Sequence, residues 1–336
     1  MITASPHLRL SSPVPDWRAL WRDAITDAGE LLHAVGLGEL ADRLPPGDAG
    51  FALRVPRGFV ARMRRNDRND PLLLQVLPQL AELEEVPGFV IDAVGDMGSR
   101  AAQGVLHKYQ GRALLVASGS CAINCRYCFR RHFPYGDEMA AAGQWRQALE
   151  HLRQDDSISE LILSGGDPLA LATGKLEELS RGLAELPHVT RLRIHSRLPV
   201  VLPERIDTAL LAWLAELPLQ KVMVLHANHA NEIDAGVDAA CAALREAGVT
   251  LLNQSVLLRG INDDAGTLAE LSERLFAAGV LPYYLHQLDR VRGTAHFEVD
   301  DSGALALMDT LRARLPGYLV PKLVREVAGD ASKRPL

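Results

Sequence analysis

The stretch ALLVASGSCAINCRYC, residues 113–128, joins a short apolar run to three closely spaced cysteines. Residues 113–118 have the aliphatic composition of a buried strand, and the cysteine loop follows directly. Further runs of strand length and composition recur toward the C-terminus, at 160–164, 191–196, 221–226, 250–258 and 283–287.

Amphipathic stretches of helical length lie between and after these runs, at 138–153, 174–185, 204–216, 232–247, 264–278 and 302–314. Alternating strands and helices predict an α/β fold with a parallel sheet and helices outside it. Six β-α units are fewer than the eight of a closed barrel, so a partial barrel and a doubly wound sheet both fit the pattern. In either fold we expect function at the C-terminal ends of the strands, where polar residues collect in this sequence.

The region before the first β-α unit has a different sequence pattern. Helical patterns occur near 17–25 and 31–44, and the apolar segment 72–86 also predicts a helix. We therefore expect a mainly helical N-terminal appendage over 1–104, the β/α region over 105–300, and a C-terminal segment over 301–336.

The net charge and the distribution of apolar residues argue against several classes of function. The 336 residues carry a net charge of −6, which argues against nucleic-acid binding through bulk positive charge. No apolar run is long enough to span a bilayer, and the first residues lack the apolar region of a secretory signal. We expect a cytoplasmic protein with no membrane partner.

Three of the four cysteines, Cys121, Cys125 and Cys128, form a C-x3-C-x2-C motif. Such a loop suits a [4Fe–4S] cluster, in which three thiolates bind three irons and the fourth iron stays open. A zinc site and ordinary buried cysteines are the alternatives; zinc usually takes four protein ligands, and no second cysteine pair exists. Cys241 lies within a helical pattern and is expected to be a small buried core residue.

The motif, with Tyr127 before its last cysteine, resembles that of radical S-adenosylmethionine (SAM) enzymes, and GGDP at 165–168 resembles their glycine-rich motif. The resemblance implies a partial (β/α)6 radical SAM barrel with the N-terminal helical appendage. It also implies a cluster on the three cysteines and SAM on the open iron. The residues implied to contact SAM are Gly165, Gly166, Asp167, His226 and Gln254.

Longer blocks resemble one family of these enzymes, the lysine 2,3-aminomutases. The blocks are CRYCFRRHF (125–133), HKYQGR (107–112), LRIHSRLPVVLPERI (192–206), HANHANEI (226–233), NQSVLLRGIND (253–263), YYLHQLD (283–289) and SKRPL (332–336). Segment 51–78, and a chain end three residues after Lys333, most resemble the branch that makes β-lysine for elongation factor P.

That family also uses pyridoxal 5′-phosphate (PLP), which needs a lysine for covalent attachment. The resemblance implies Lys333 for this role, although AGDASK is poorer in glycine than the family motif; Lys322 is the competing candidate. It implies Tyr109 and Arg112 as phosphate contacts, with Arg197 as a third candidate.

For the substrate, the resemblance implies that Arg130 binds the carboxylate of lysine, and that Asp289 and Glu326 bind its ε-ammonium. Glu326 stands where the family more often has aspartate. Phe129 and His286 stand where relatives often have threonine and tyrosine.

The implied activity is that of an isomerase converting free L-lysine to β-lysine. The implied partners are a flavodoxin- or ferredoxin-type reductant and an elongation factor P ligase that receives the product. Two alternatives stay open: a radical SAM aminomutase for another amino acid, and a non-catalytic iron–sulfur protein that docks on the translation machinery.

Overall fold

The computed structural model describes residues 16–143 and 145–336. The start of the predicted appendage, residues 1–15, and with it most of the region considered for a secretory signal, lie outside the described residues. In the part of the chain that is described, no helix is both long and apolar enough to cross a membrane.

In the described residues, ten strands form one sheet whose spatial order is the same as their order in the chain. Strands β3 to β9 are parallel, whereas β1, β2 and β10 pair antiparallel with their neighbours. The strands are β1 Arg100–Ala102, β2 Val105–Tyr109, β3 Arg112–Ser118, β4 Glu160–Gly165, β5 Arg191–Ser196, β6 Gln220–His226, β7 Val249–Val256, β8 Leu281–His286, β9 Lys322–Arg325 and β10 Arg334–Pro335.

Eleven α-helices accompany the sheet within the described ranges. They are α1 Trp17–Arg22, α2 Ala28–Ala34, α3 Arg57–Val60, α4 Pro71–Leu74, α5 Arg146–Arg153, α6 Thr173–Leu183, α7 Leu198–Val201, α8 Thr208–Glu216, α9 Ala235–Glu246, α10 Ala265–Ala277 and α11 Asp301–Arg314. The helices α8 to α11 each begin after an aspartate whose carboxylate accepts a hydrogen bond from a backbone N–H of the first turn.

The strand order decides between the two folds left open by the sequence. A doubly wound sheet reverses its strand order at a switch point, but β3 to β9 follow one another without reversal. Among the described strands, β1 and β10 do not pair with each other, so the wall stays open. The prediction of a partial (β/α)6 barrel is confirmed.

The helix predicted over 72–86 is wrong. Helix α4 starts at Pro71, where Asp70 caps the backbone N–H groups of Leu72 and Leu73 at 2.9 Å, and it ends at Leu74. Pro78 has no N–H for a helical hydrogen bond, and only a 3-10 turn forms beyond it, at Leu80–Leu83.

The predicted segment boundaries cut through the sheet. The boundary at 104/105 falls inside the β1–β2 hairpin, and segment 301–336 contributes β9 and β10. Residues before the hairpin also pack behind the cysteine loop, where the backbone N–H groups of Asn124 and Arg126 donate to the carbonyls of Arg54 and Gln75. This contact places the N-terminal region against the loop that follows β3.

Candidate active site

A cavity of about 520 Å³ occupies the interior of the partial barrel. Residues from the cysteine loop, from the parallel strands and from the C-terminal segment all line it. Every site residue predicted from the sequence lies on its wall: Tyr109, Arg112, Cys121, Cys125, Cys128, Arg130, Gly165, Gly166, Asp167, His226, Gln254, Asp289, Glu326 and Lys333.

The three loop cysteines are free thiols. Burial raises the pKa of Cys121 well above its ordinary value, and Asp167 adds to this shift. Burial raises the pKa of Cys128 to about 11, with a contribution from Cys125 and against the effect of Arg130 and Arg131. Cys241, by contrast, lies wholly buried in helix α9 within the hydrophobic core, as predicted.

The cysteine loop is held by a buried acid that the sequence analysis did not identify. Glu82, which is 4% exposed, binds the guanidinium of Arg126 at 2.5 Å and that of Arg131 at 2.8 Å. These arginines flank Cys128 in the sequence, so one carboxylate fixes both ends of its turn. Glu82 lies in a segment with no recognised motif, and no local signal pointed to it.

The glycine-rich turn lies directly against the cysteine loop. A Cβ on Gly165, whose φ is +120°, would lie 2.6 Å from the Ser118 carbonyl oxygen, and one on Gly166 would lie 2.7 Å from that of Ser120. Only glycine allows this close approach. The backbone N–H groups of Gly166 and Asp167 donate to the same two carbonyls, which extends the β3–β4 pairing into the loop.

The side chain of Asp167 has a structural role. Its buried carboxylate accepts hydrogen bonds from the Ser196 hydroxyl and from the backbone N–H groups of Leu169, Arg197 and Leu198. Burial raises its pKa to about 6, against these hydrogen bonds. A contact of Asp167 with a cofactor would therefore involve its backbone.

Three histidines line the cavity, and burial favours the neutral form of each. His226 and Gln254 are register neighbours on β6 and β7, and the amide nitrogen of Gln254 lies 3.0 Å from Nε2 of His226. Burial lowers the pKa of His226 to about 3, and it lowers those of His195 and His286 well below the ordinary value. These side chains offer polar atoms without charge.

Arg130 belongs to a buried chain of charges. Its Nε lies 2.7 Å from Asp96, Nη1 donates to the Ser164 hydroxyl at 2.9 Å, and among the described residues Nη2 has no hydrogen-bond partner. Asp96 also binds Nζ of Lys108 at 2.7 Å. Asp96 and Lys108 were not singled out from the sequence, although Lys108 lies in a block that carried the resemblance.

Glu326 binds Lys333 of the same C-terminal segment and Tyr109 of β2. Nζ of Lys333 lies 2.6 Å from one carboxylate oxygen, and the Tyr109 hydroxyl donates to the other at 2.5 Å. The nearby Lys333, Tyr109 and Lys108 hold the pKa of Glu326 below its ordinary value against the effect of burial. Lys322, the competing lysine, also lines the cavity but is exposed at the start of β9.

The two arginines considered for the phosphate lie in different surroundings. The guanidinium of Arg112 stacks on the Tyr109 ring at 4.7 Å, and within the described part of the chain it has no hydrogen-bond or ion-pair partner. Arg197 instead donates to Sγ of Cys125 and to the Tyr127 hydroxyl. Its Nη2 donates to Gln75 and Glu232, so this arrangement does not support the phosphate contact expected at Arg197.

Asp289 lies in the cavity without a partner for its carboxylate among the described residues. Burial raises its pKa to about 7, and the positive charge of Lys333 opposes this shift. The side chain of Asp289 caps no backbone group in the described chain, and Arg325, the residue before Glu326, pairs with Asp301 and not with Glu326.

Comparisons with known proteins agree with this site. A sequence model of a family described as "4Fe-4S single cluster domain" matches residues 110–190. The L-lysine 2,3-aminomutase of Escherichia coli is 49% identical over 96% of this chain and 94% of its own length, and that of Haemophilus influenzae is 46% identical over 95% and 94%. The L-lysine 2,3-aminomutase of Clostridium subterminale is 33% identical over 96% of this chain and 77% of its own.

The chain belongs to the lysine 2,3-aminomutase family. The resemblance stated from the sequence blocks is thereby confirmed by identity over nearly the whole chain. A solved radical SAM methyltransferase from Sphaerobacter thermophilus superposes with a TM-score of 0.49 at 17% identity, covering 66% of this chain and 68% of that one. The assignment to the lysine 2,3-aminomutase family rests on the sequence relatives.

The donor set of the cysteine loop fits an iron–sulfur cluster. Its three thiols line one cavity and come from a single loop, and a cluster takes one cysteine for each of three irons. Iron also supplies the positive charge that buried thiolates need. Within 16–143 and 145–336, no three or more histidine, cysteine or acidic side chains converge as ligands of one metal ion.

The cavity wall also fits the two organic cofactors that the resemblance implies, PLP and SAM. The free guanidinium of Arg112 suits a phosphate, and Lys333 supplies a primary amine. Near the cysteines, the glycine turn lines the cavity, and His226 and Gln254 offer neutral polar atoms. This combination suits a zwitterionic nucleoside ligand such as SAM.

Proposed function

We propose that this protein is an isomerase that converts free L-lysine to β-lysine by moving the 2-amino group to C3. Membership of the lysine 2,3-aminomutase family supports the reaction class. The observation that carries the proposal is that one cavity is lined by the cysteine triad, Arg130, Asp289 and Lys333. The same space therefore holds groups suited to a cluster, a carboxylate, an ammonium and PLP.

In this proposal Cys121, Cys125 and Cys128 hold a [4Fe–4S] cluster, and the turn at Gly165–Asp167, with His226 and Gln254, holds SAM. Lys333 binds PLP, and Arg112 pairs with its phosphate. When bound, the cluster and SAM supply a radical for hydrogen abstraction at C3, and PLP supplies an electron sink for the migrating nitrogen.

The substrate is oriented by charges at its two ends. Arg130 is held by Asp96 and Ser164, and it has a free Nη2 to offer to the α-carboxylate. A planar guanidinium that is already fixed loses little freedom when it binds a carboxylate. The unpartnered carboxylate of Asp289 suits the ε-ammonium, which needs a negative partner when it leaves water.

Glu326 is proposed as the second acid for the ε-ammonium, but it already binds Lys333. Attachment of PLP would commit Nζ of Lys333 to a covalent bond with the cofactor and would thereby take it away from the carboxylate of Glu326. We infer that Glu326 becomes available to the substrate only after PLP has been attached, and that Tyr109 keeps its carboxylate in place meanwhile. Asp289 has no such competitor among the described side chains.

The cavity wall protects the reaction from water. Leu106, Leu114, Ile162 and Val201 line the interior between the polar groups. Apolar walls limit the access of solvent, which would otherwise quench reactive species.

We place the protein in the branch that supplies β-lysine for elongation factor P, in the cytoplasm. Support comes from segment 51–78 and from the extent of similarity: the chain covers 94% of the Escherichia coli relative but 77% of the clostridial one. The product would pass to an elongation factor P ligase, and a flavodoxin- or ferredoxin-type protein would supply the electron.

Anaerobic product analysis tests the proposal. The purified chain is reconstituted with iron, sulfide and PLP, and is then incubated with SAM, dithionite and one free amino acid at a time. We expect β-lysine from L-lysine and no β-amino acid from L-glutamate or L-norleucine. A product from another amino acid would favour an aminomutase of different specificity. No product, despite bound cluster and PLP, would favour a non-catalytic iron–sulfur protein.

A further inference from the structure

A buried arginine contacts the sulfur of the middle loop cysteine. Arg197 directly follows β5 and is 5% exposed. Its Nη1 donates to Sγ of Cys125 and, at 2.6 Å, to the hydroxyl of Tyr127. A full positive charge therefore lies against a proposed cluster ligand, at a position that neither family resemblance nor spacing assigns to the cluster.

The orientation of this guanidinium is fixed from several sides. Nη2 donates to Gln75 at 2.7 Å and to Glu232 at 2.9 Å, while the backbone N–H of Arg197 donates to Asp167 at 2.8 Å. Because these partners come from different parts of the chain, the Nη1 edge cannot turn away from Cys125 without breaking other bonds. The donor is therefore preorganised.

The counter-charge of Arg197 is also fixed, and it lies on the far edge of the guanidinium. Oε1 of Glu232 accepts hydrogen bonds from the backbone N–H groups of Asn228 at 2.7 Å and His229 at 3.1 Å, and Oε2 binds Nη2 of Arg197. The positive edge of the pair faces the sulfur and the negative end faces away. The pair thus acts on the cysteine loop as an oriented dipole.

We propose that Arg197 is a positioning residue that sets the reduction potential of the cluster, which deepens the proposed function and rests on it. Reduction adds one electron from the external donor to the oxidised cluster, with no bond or proton transferred. The reduced cluster and its thiolates carry one more negative charge. A hydrogen bond and a positive charge at Cys125 stabilise that state more than the oxidised one, which raises the potential.

The test is an anaerobic redox titration of the reconstituted protein, followed by electron paramagnetic resonance without SAM, PLP or lysine. In Arg197→Gln we expect the ratio of reduced to oxidised cluster at a fixed potential to fall by about tenfold, equal to a shift of about 59 mV to more negative potential for a one-electron couple. Arg197→Lys keeps the charge but loses the planar fork, so its shift should be smaller.

A matched control separates this effect from the loss of any buried arginine. Arg205 is also fully buried, but it donates to the carbonyls of Leu169 and Leu171 and has no bond to a loop cysteine among the described residues. Arg205→Gln should leave the potential of the cluster unchanged. A shift in Arg205→Gln as large as that in Arg197→Gln would overturn the proposal.

A second variant predicts a shift of opposite sign. Glu232→Gln removes the counter-charge of Arg197 but keeps an amide oxygen that can accept the hydrogen bonds of Asn228 and His229. The potential should become more positive, whereas a purely structural ion pair predicts no such reversal. If Arg197→Gln fails to retain iron, the potential of Glu232→Gln still tests whether Arg197 sets the reduction potential of the cluster.

The outcomes distinguish this inference from the proposed function. If the wild-type protein binds no cluster, the proposed function itself fails. If the wild-type protein and Arg197→Gln hold equal iron and sulfide and titrate at the same potential, Arg197 only clamps the loop and this inference alone is wrong. An unchanged or more negative potential in Glu232→Gln would also contradict it.

Discussion

Nζ of Lys333 lies 2.6 Å from Oε2 of Glu326, so the lysine proposed for PLP and an acid proposed for the substrate bind each other. The Tyr109 hydroxyl occupies the other carboxylate oxygen. Asp289, three residues after β8, has no competing partner in the described chain. The two acids are therefore not equivalent, and Asp289 is the one that is free to accept an incoming ammonium.

Asp289→Asn keeps the shape of the side chain and removes its charge. Removing one partner of a buried ion pair typically costs about 3–5 kcal/mol, because the other charge stays buried and unpaired. We expect kcat/KM for lysine to fall by roughly a hundredfold or more, with cluster and PLP content unchanged. Competition between lysine and L-norleucine measures the loss, and an undiminished preference for lysine would contradict the assignment.

The pH dependence of lysine recognition should reflect the same carboxyl group. Burial raises the pKa of Asp289 to about 7, so below this pH the group is neutral and cannot pair with an ammonium. The charges that face it are Lys333, Lys108, Glu326 and Asp96. We expect kcat/KM for lysine to rise as the pH increases through about 7. A profile of Asp289→Asn with the same rise would assign it to another group.

Tyr109 and Arg112, both predicted as phosphate contacts, should behave differently. The Tyr109 hydroxyl is engaged by Glu326, whereas the guanidinium of Arg112 has no ion-pair partner in the described residues. Arg112→Gln should therefore weaken PLP binding about tenfold or more, since charge-assisted phosphate bonds are strong. Tyr109→Phe should mainly raise KM for lysine. Equilibrium binding of PLP distinguishes them, and equal losses would restore the phosphate role of Tyr109.

Lys333 and Lys322 provide a matched pair for the PLP attachment site, since both line the cavity. We expect borohydride reduction to fix PLP on Lys333, and Lys333→Ala to lose the bound cofactor while keeping its iron. Lys322→Ala should retain both. Peptide mapping that finds the reduced adduct on Lys322 would show that the assignment to Lys333 is wrong.

Cys125→Ala should lose the visible absorbance of the cluster and most of its iron, because one iron then has no protein ligand. Cys241→Ala serves as the control, since this cysteine is buried in helix α9 and packs in the core. Iron analysis after anaerobic reconstitution checks both. Equal iron in the wild type and Cys125→Ala would exclude the loop as the cluster site.

The sequence predicted the parts of the fold that have strong local patterns. Strands β3 to β8 are apolar runs bounded by polar turns, and each was located within about two residues. Strands β9 and β10 are short and take their form from pairing with distant segments, as when the backbone N–H of Gln287 donates to Val324. The helix expected over 72–86 failed because Pro78 overrides the apolar pattern.

The residues of the candidate site likewise fall into those that local motifs predicted and those that they did not. Motifs with fixed spacing located the cysteines and the glycine turn, and the family blocks indicated the acids and Lys333. Contacts between distant positions were not predictable, such as the bond between Tyr109 and Glu326, which are 217 residues apart, or the ion pair of Asp96 with Arg130. Such partners depend on how the barrel closes around its cavity, and no single stretch of sequence encodes that.

The most direct test of the central claim follows the nitrogen of the substrate. The reconstituted protein is incubated with L-lysine labelled with ¹⁵N at the 2-amino group, in the presence of SAM, PLP, dithionite and unlabelled ammonium. An intramolecular migration predicts β-lysine that carries the label at N3 and has exchanged none of it with solvent ammonium. β-Lysine without the label, or no β-lysine from a protein loaded with cluster and PLP, would contradict the account.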